Sequence, residues 1–229
     1  MRRSLLVLLA LVLPALALAH VSVSSGPGIA NTTQELTFGV GHGCEGSDTA
    51  KVRTTIPAGV TSVRAMPSDF GKSTLGTDAT GVPTSVTWER APADLLPVDT
   101  NYYKLTVRLK LPNTPFRVLY FPTEQTCFAS DGGTLTTLWT NTSGLPPDAG
   151  EPEPAPAVVI VPAHKPGWNK VTVPVAVDNL PLFFSDAQIV WKGSSAFSPN
   201  ASVTELIAGT SGVTSLGALQ AGDEIWVKY

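Results

Sequence analysis

His20 carries the most distinctive chemistry in the chain. It directly follows Ala17-Leu18-Ala19, the small-x-small pattern behind which a signal peptidase cuts. A cut there would leave a histidine at the N-terminus, with a free α-amine and an imidazole Nδ1 on one residue. Both nitrogens can then close a chelate ring on a single metal ion. In free peptides these groups titrate near about 7.7–8.0 and about 6.5, so both can yield a proton to a metal at neutral pH. Two nitrogens joined by oxygen donors suit Cu(II), which heads the affinity order of the divalent ions. The alternative is that His20 follows a leader by chance and binds nothing.

A second concentration of polar chemistry is His42-Gly43-Cys44-Glu45-Gly46. Glu45 could offer a carboxylate oxygen to a metal, and His42 a further nitrogen; a plain surface turn is the other reading. Cys44 and Cys127 are the only cysteines. An even count in an exported chain favours a disulfide, which would pin the loop and hold Glu45 in one orientation. Closing so long a loop is nominally worth about 4–5 kcal/mol on the chain-entropy view. Two metal-binding thiols are the alternative, although neither cysteine belongs to a Cys-x-x-Cys pair. Met66 is the only methionine beyond the leader, which argues against a soft Cu(I) site. His164, in Ala163-His164-Lys165-Pro166, reads as an exposed linker residue. Three histidines in all and no Gly-x-Ser-x-Gly pattern disfavour hydrolase chemistry.

Export sets the frame for these residues. Arg2 and Arg3 form a basic start, and Leu5 to Leu18 is apolar with Pro14 interrupting it. That run is shorter than the roughly 20 residues needed to span a bilayer, and no later segment reaches that length. The expectation is a leader over 1–19 and a mature chain that is periplasmic, cell-surface or extracellular, without a membrane span. Removing Arg2 and Arg3 from the 15 Lys+Arg leaves 13 against 18 Asp+Glu, a net charge of −5. Basic residues are not clustered, so nucleic acid is excluded as a partner.

The elements that must position the candidate ligands read as strands. Leu36–Val40, Lys51–Ile56, Ser85–Trp88, Tyr103–Leu111, Arg117–Phe121 and Leu135–Thr140 alternate apolar with polar residues between Gly, Pro, Asn or Asp. In Tyr103-Lys104-Leu105-Thr106-Val107-Arg108-Leu109-Lys110-Leu111 the odd positions are apolar, which gives a strand with one buried face. No stretch shows a comparable helical period. The expected fold is all-β, an immunoglobulin-like sandwich followed by a small C-terminal β unit.

Residues 145–156 hold five prolines in twelve positions. Such a run cannot be a helix or a central strand. It reads as a long surface loop or as a stiff spacer approaching a domain boundary, followed by a last strand over Ala157–Val161. The boundary is expected near 162, giving units over 20–161 and 162–229. In the second unit Gly167–Val175, Gln188–Gly193 and Asp223–Tyr229 each carry a strand. Three of the five tryptophans fall there, and in so small a unit they are expected to fill the core. The pattern resembles a small module of secreted proteins that opens on Gly-Trp-Asn, continues with Val-Trp-Lys and closes on Ile-Trp-Val.

The first unit resembles the YcnI-like copper-binding domain. His20-Val21-Ser22-Val23 matches its opening, and Phe38-Gly39-Val40-Gly41-His42-Gly43-Cys44-Glu45-Gly46-Ser47-Asp48-Thr49 its central loop. Val86-Thr87-Trp88, Leu119-Tyr120-Phe121-Pro122, Gln125-Thr126-Cys127 and Trp139 follow in the family's order. The likeness covers roughly residues 20–158. It implies a β-sandwich holding one Cu(II) in a single-histidine brace, with the His20 amine and imidazole, a glutamate matched by Glu45, and Trp139 close by. Gly41 and Asp48 stand where the resemblance calls for prolines.

The resemblance favours a cell-envelope Cu(II)-binding protein, not an enzyme, that holds copper or passes it to a partner protein. A structural or adhesive surface protein without metal is the main alternative. A copper-dependent oxidative enzyme would need a second histidine on the metal, which only His42 or His164 could supply.

Overall fold

The computed structural model describes residues 20–96, 98–129, 131–148 and 150–229. The expected leader over 1–19 lies outside the described residues, and no helix among them is long and apolar enough to cross a membrane.

In chain order the first unit contains β1 (Ser22–Val23), β2 (Gly28–Ile29), β3 (Thr33–Val40), β4 (Thr49–Thr55), β5 (Thr61–Ala65), β6 (Lys72–Thr77) and β7 (Pro83–Glu89). It continues with β8 (Tyr103–Lys110), β9 (Arg117–Tyr120), β10 (Thr123–Phe128), β11 (Thr134–Asn141), β12 (Glu153–Pro154) and β13 (Ala157–Val161). One sheet runs β1-β3-β8-β5 and the facing sheet runs β12-β11-β10-β4-β7-β6. A small third sheet, β2-β13-β9, lies beside them.

The alternation read in β8 is realised: Leu105, Val107 and Leu109 are buried, whereas Lys104 and Arg108 are not. They meet Leu36, Phe38 and Val40 of β3, and this layer faces Val52, Val86, Trp88 and Phe121. Phe38 sits at the centre, its ring 5.5 Å from that of Phe121 and 6.1 Å from that of Trp88. Each of these large side chains contributes about 1.5–3 kcal/mol by leaving water.

The strand β10 carries no such alternation of apolar residues, because two of its inward positions are the polar Thr123 and Gln125, both fully buried. Their polar atoms are satisfied by Thr54 Oγ1, Thr49 Oγ1 and backbone carbonyls, which removes the cost of burial.

The second unit contains β14 (Trp168–Thr172), α1 (Leu180–Phe183), β15 (Ile189–Lys192), β16 (Ser195–Phe197), α2 (Ala201–Gly209), β17 (Thr214–Ser215) and β18 (Glu224–Lys228). Its sheet runs β14-β18-β15-β16-β17. The two helices escape a search for helical period because α1 is a single turn, although it buries Leu180 and Phe183, and α2 buries only Ile207. The start of α2 is fixed by the Asn200 side chain, which accepts from the backbone N–H of Ser202 and Val203.

The core of this unit is aliphatic and Phe-rich, built from Val173, Leu180, Phe184, Leu219, Ile225 and Val227. The expectation that its tryptophans fill the core is corrected: Trp168 is 53% and Trp226 49% exposed. They occupy outward positions of their strands, Trp226 between buried Ile225 and Val227 and Trp168 beside half-buried Asn169. Phe116, from the β8–β9 connection, enters this second core and packs its ring 5.5 Å from Phe184 and 5.9 Å from Phe183. His164 is likewise no exposed linker: it stacks on Tyr229 with ring centres 3.6 Å apart and planes 9° from parallel.

Candidate metal centre

His20 precedes β1, which pairs antiparallel with β3 through Ser22–Gly39 and Val23–Phe38. The buried Val21 anchors the start of the chain to the main core. These contacts set His20 against the end of the sandwich, with its ring edge-on to Trp139 at 5.5 Å and 65°.

Trp139 lies on β11 and is 3% exposed. Its indole Nε1–H donates to Gln125 Oε1 at 2.9 Å, and Gln125 Nε2 donates to the His42 carbonyl at 2.7 Å and to Thr49 Oγ1 at 2.8 Å. The indole beneath His20 is thus held by an amide on β10, and that amide is held by the loop after β3. A disulfide joins Cys44 of this loop to Cys127, two residues beyond Gln125, with Cα atoms 5.8 Å apart. Gly43 is required by close approach, since a Cβ there would sit 1.7 Å from the Ser47 carbonyl oxygen.

Asp48, at one of the positions where proline was expected, stiffens the same loop by other means. Its buried carboxylate accepts from Arg90 Nη1 at 2.7 Å, Tyr103 Oη at 2.6 Å and the Leu96 N–H at 2.8 Å. Burial, with the Asp48 carboxylate beside it, holds the Tyr103 phenol above the ordinary tyrosine range.

The carboxylate that faces His20 is Glu153. The strand β12 pairs parallel with β11, placing Glu153 opposite Trp139. Glu153 Oε2 lies 3.7 Å from His20 Nε2, and that oxygen is buried without a hydrogen-bond partner. The proline-rich stretch before it is therefore not a spacer. It folds back as one wall of a cleft of about 740 Å³ lined by His20, Tyr120, Pro147, Asp148, Glu151 and Glu153, among others. Prolines keep this wall extended, and it is tied down by Ala155 N–H to the Asn141 carbonyl and Phe121 N–H to the Pro156 carbonyl. Among the described residues that line the cleft, three are carboxylates and none is lysine or arginine. Such a wall raises the local concentration of cations.

Glu45 is placed elsewhere. It sits exposed, at φ 50°, in the tight turn closed between Cys44 and Ser47. Cys127 pairs with Leu135, whereas Trp139 pairs with Thr123, four residues back along β10. At about 3.3 Å per residue that is roughly 13 Å of strand. Among the described residues, no three His, Cys, Asp or Glu side chains converge as a ready-made metal cluster. The structure thus brings His20 and Trp139 together, adds Glu153, and leaves Glu45 and His42 on the supporting loop.

The donor set fits a cation. A buried carboxylate oxygen without a donor is costly to leave unmet, and an imidazole beside it supplies the nitrogen that suits late divalent metals. Glu153 went unnoticed in sequence because it falls in a stretch whose prolines signal a spacer. The alternation Glu151-Pro152-Glu153-Pro154 just ahead of a strand, with acids held rigidly between prolines, is the signal that could have found it.

Sandwich topology and cleft together define an immunoglobulin-like domain with a histidine-bearing end. A crystal structure of an uncharacterized protein from Nocardia farcinica, reported as an immunoglobulin-like fold, is similar over 62% of this chain and 98% of that one, with 24% identity and a TM-score of 0.50. The chain belongs to the family described as domain of unknown function DUF1775, which matches residues 20–161. No curated protein sequence matches it.

Proposed function

We propose that the first unit is a Cu(II)-binding domain of the cell envelope, in which the His20 amine and imidazole grip the ion and Glu153 supplies an oxygen. The observation that carries this reading is the buried Glu153 Oε2, which accepts no hydrogen bond and lies 3.7 Å from His20 Nε2. The resemblance to the YcnI-like copper-binding domain supports it, with Glu153 rather than Glu45 in the carboxylate role. Trp139 forms the apolar floor under the imidazole and limits the orientations it can take.

The protein holds or hands on copper rather than using it in catalysis. A second imidazole would favour an oxidative enzyme, but His42 lies on the supporting loop and His164 is engaged with Tyr229, the Pro162 carbonyl and Asp186. An open cleft with few protein ligands suits transfer to a partner protein.

The test is a Cu(II) titration of the chain processed to begin at His20, followed by calorimetry and by the electron paramagnetic resonance spectrum. A chain with one extra residue before His20 should lose about a hundredfold or more in affinity, since its α-amine becomes an amide that no longer ligates. Glu153→Gln should bind about tenfold more weakly, whereas Glu45→Gln should bind as the parent does. Equal binding by the parent and the extended chain would refute the brace.

A further inference from the structure

The second unit lies outside the family match, and the copper site makes no use of it. Its sheet presents one outward face built by β14, β18 and β15. Trp226 is directly opposite Trp191 on β15 and Lys170 on β14, and Trp168 is opposite Lys228. Three indoles therefore share one face of three adjacent strands. With Gly193 they line an open groove of about 300 Å³, and a Cβ at Gly193 would meet nothing within 4 Å.

Trp168 and Trp226 each stand about half exposed. Nothing in the architecture demands tryptophan here, because the core beneath is already complete with Ile225 and Val227 fully buried. Two half-exposed indoles display roughly 250 Å² of apolar surface. A stable protein partner, a second copy included, needs about 800 Å² on each side, so the patch is the size of a small ligand.

Charge narrows the choice. On this face Lys170 Nζ is neutralised by Glu224 Oε1 at 2.7 Å. Lys192, at the edge, is neutralised by Asp223 Oδ2 at 2.6 Å. With Lys170 and Lys192 paired, the face offers an anionic lipid surface only Lys228, and that cation next to the indoles disfavours a quaternary ammonium. It suits a neutral ligand with flat, C–H-rich faces and a hydroxylated rim, which describes a sugar ring. The C–H faces lie on the indoles, while Lys228 and the paired Lys170–Glu224 offer hydrogen bonds to hydroxyls.

We propose that the three-tryptophan face of the C-terminal unit is a carbohydrate-binding platform that takes a neutral oligosaccharide by stacking sugar rings on Trp168 and Trp226. The platform would tether the copper-binding domain to a polysaccharide surface. It stands independently of the metal reading.

The experiment titrates the full chain, leader removed, with cellohexaose, N-acetylated chitohexaose and maltohexaose, following tryptophan fluorescence and migration in glycan-containing native gels. At least one glycan should give a saturable response. Trp168→Ala and Trp226→Ala should each weaken it by about tenfold or more, and Trp226→Tyr should retain it. Both alanine changes fall at exposed positions, and an unchanged far-ultraviolet circular dichroism spectrum and melting curve would show that the variants are folded. The proposal is overturned if no glycan of the three binds, or if the alanine variants bind like the parent. A tryptophan-dependent response only to choline or to anionic phosphatidylglycerol vesicles would overturn it equally.

Discussion

Gln125 shows how much of the candidate site depends on a residue outside its donor set. It is fully buried, and its amide links the Trp139 indole, Thr49 and the His42 carbonyl. Replacing it by leucine keeps the volume but strands three buried polar groups, each worth about 1–3 kcal/mol. Gln125→Leu should therefore lower stability by about 3 kcal/mol or more in urea unfolding, and weaken Cu(II) binding less than the extension before His20 does. His20, Trp139 and the cysteine pair were legible because each stands in a locally recognisable setting: a cleavage pattern, a family position, an even cysteine count. Glu153 was not, since its place depends on a parallel pairing with a strand more than ten residues earlier, which no local pattern encodes.

At the scale of elements, alternation made the strands of the first sandwich readable, and where the rule was broken the reading stopped. Leu105, Val107 and Leu109 announced β8, whereas Thr123 and Gln125 concealed β10, because hydrogen bonds inside the core replaced apolar burial. Proline gave the opposite error. It correctly excluded helix and central strand over 145–156, but it could not say whether the stiff segment leaves the domain or folds back along it. The tryptophans of the second unit were misplaced for a related reason: a large aromatic residue on a strand signals a face, and only the neighbouring strands decide which face is inside. The Cys44–Cys127 bond closes an 83-residue separation and joins the supporting loop to β10. Replacing both cysteines by alanine should cost about 2–5 kcal/mol, seen as a lower denaturant midpoint.

Over the whole molecule, the two units share Phe116, whose backbone N–H donates to the Ile160 carbonyl while its ring enters the second core. Val118 and Val159 extend the same seam. Thermal unfolding should accordingly show one cooperative transition, and Phe116→Ala should cost about 3–5 kcal/mol and split the calorimetric trace in two. The seam is also closed by Tyr229 stacked on His164, with its hydroxyl buried and unpartnered. Burial, and then the nearby Asp186 carboxylate, push the Tyr229 phenol well above its ordinary range. A raised folded-state pKa means that this contribution is complete below about pH 10, the unfolded value, and fades as pH climbs beyond it. Tyr229→Phe should thus leave neutral stability nearly unchanged and flatten the alkaline loss, measured by unfolding from pH 7 to 11.

The amide under the indole ties two maturation chemistries to one spot. Gln125 sits two positions from Cys127, so thiol oxidation locks the strand that supports the ring against which His20 rests. On the proposed reading, a precursor still reduced and uncut would lack both the anchored floor and the terminal amine. On the proposed copper reading, such a polypeptide would not compete for cytosolic copper and would become a ligand only after reaching an oxidising compartment.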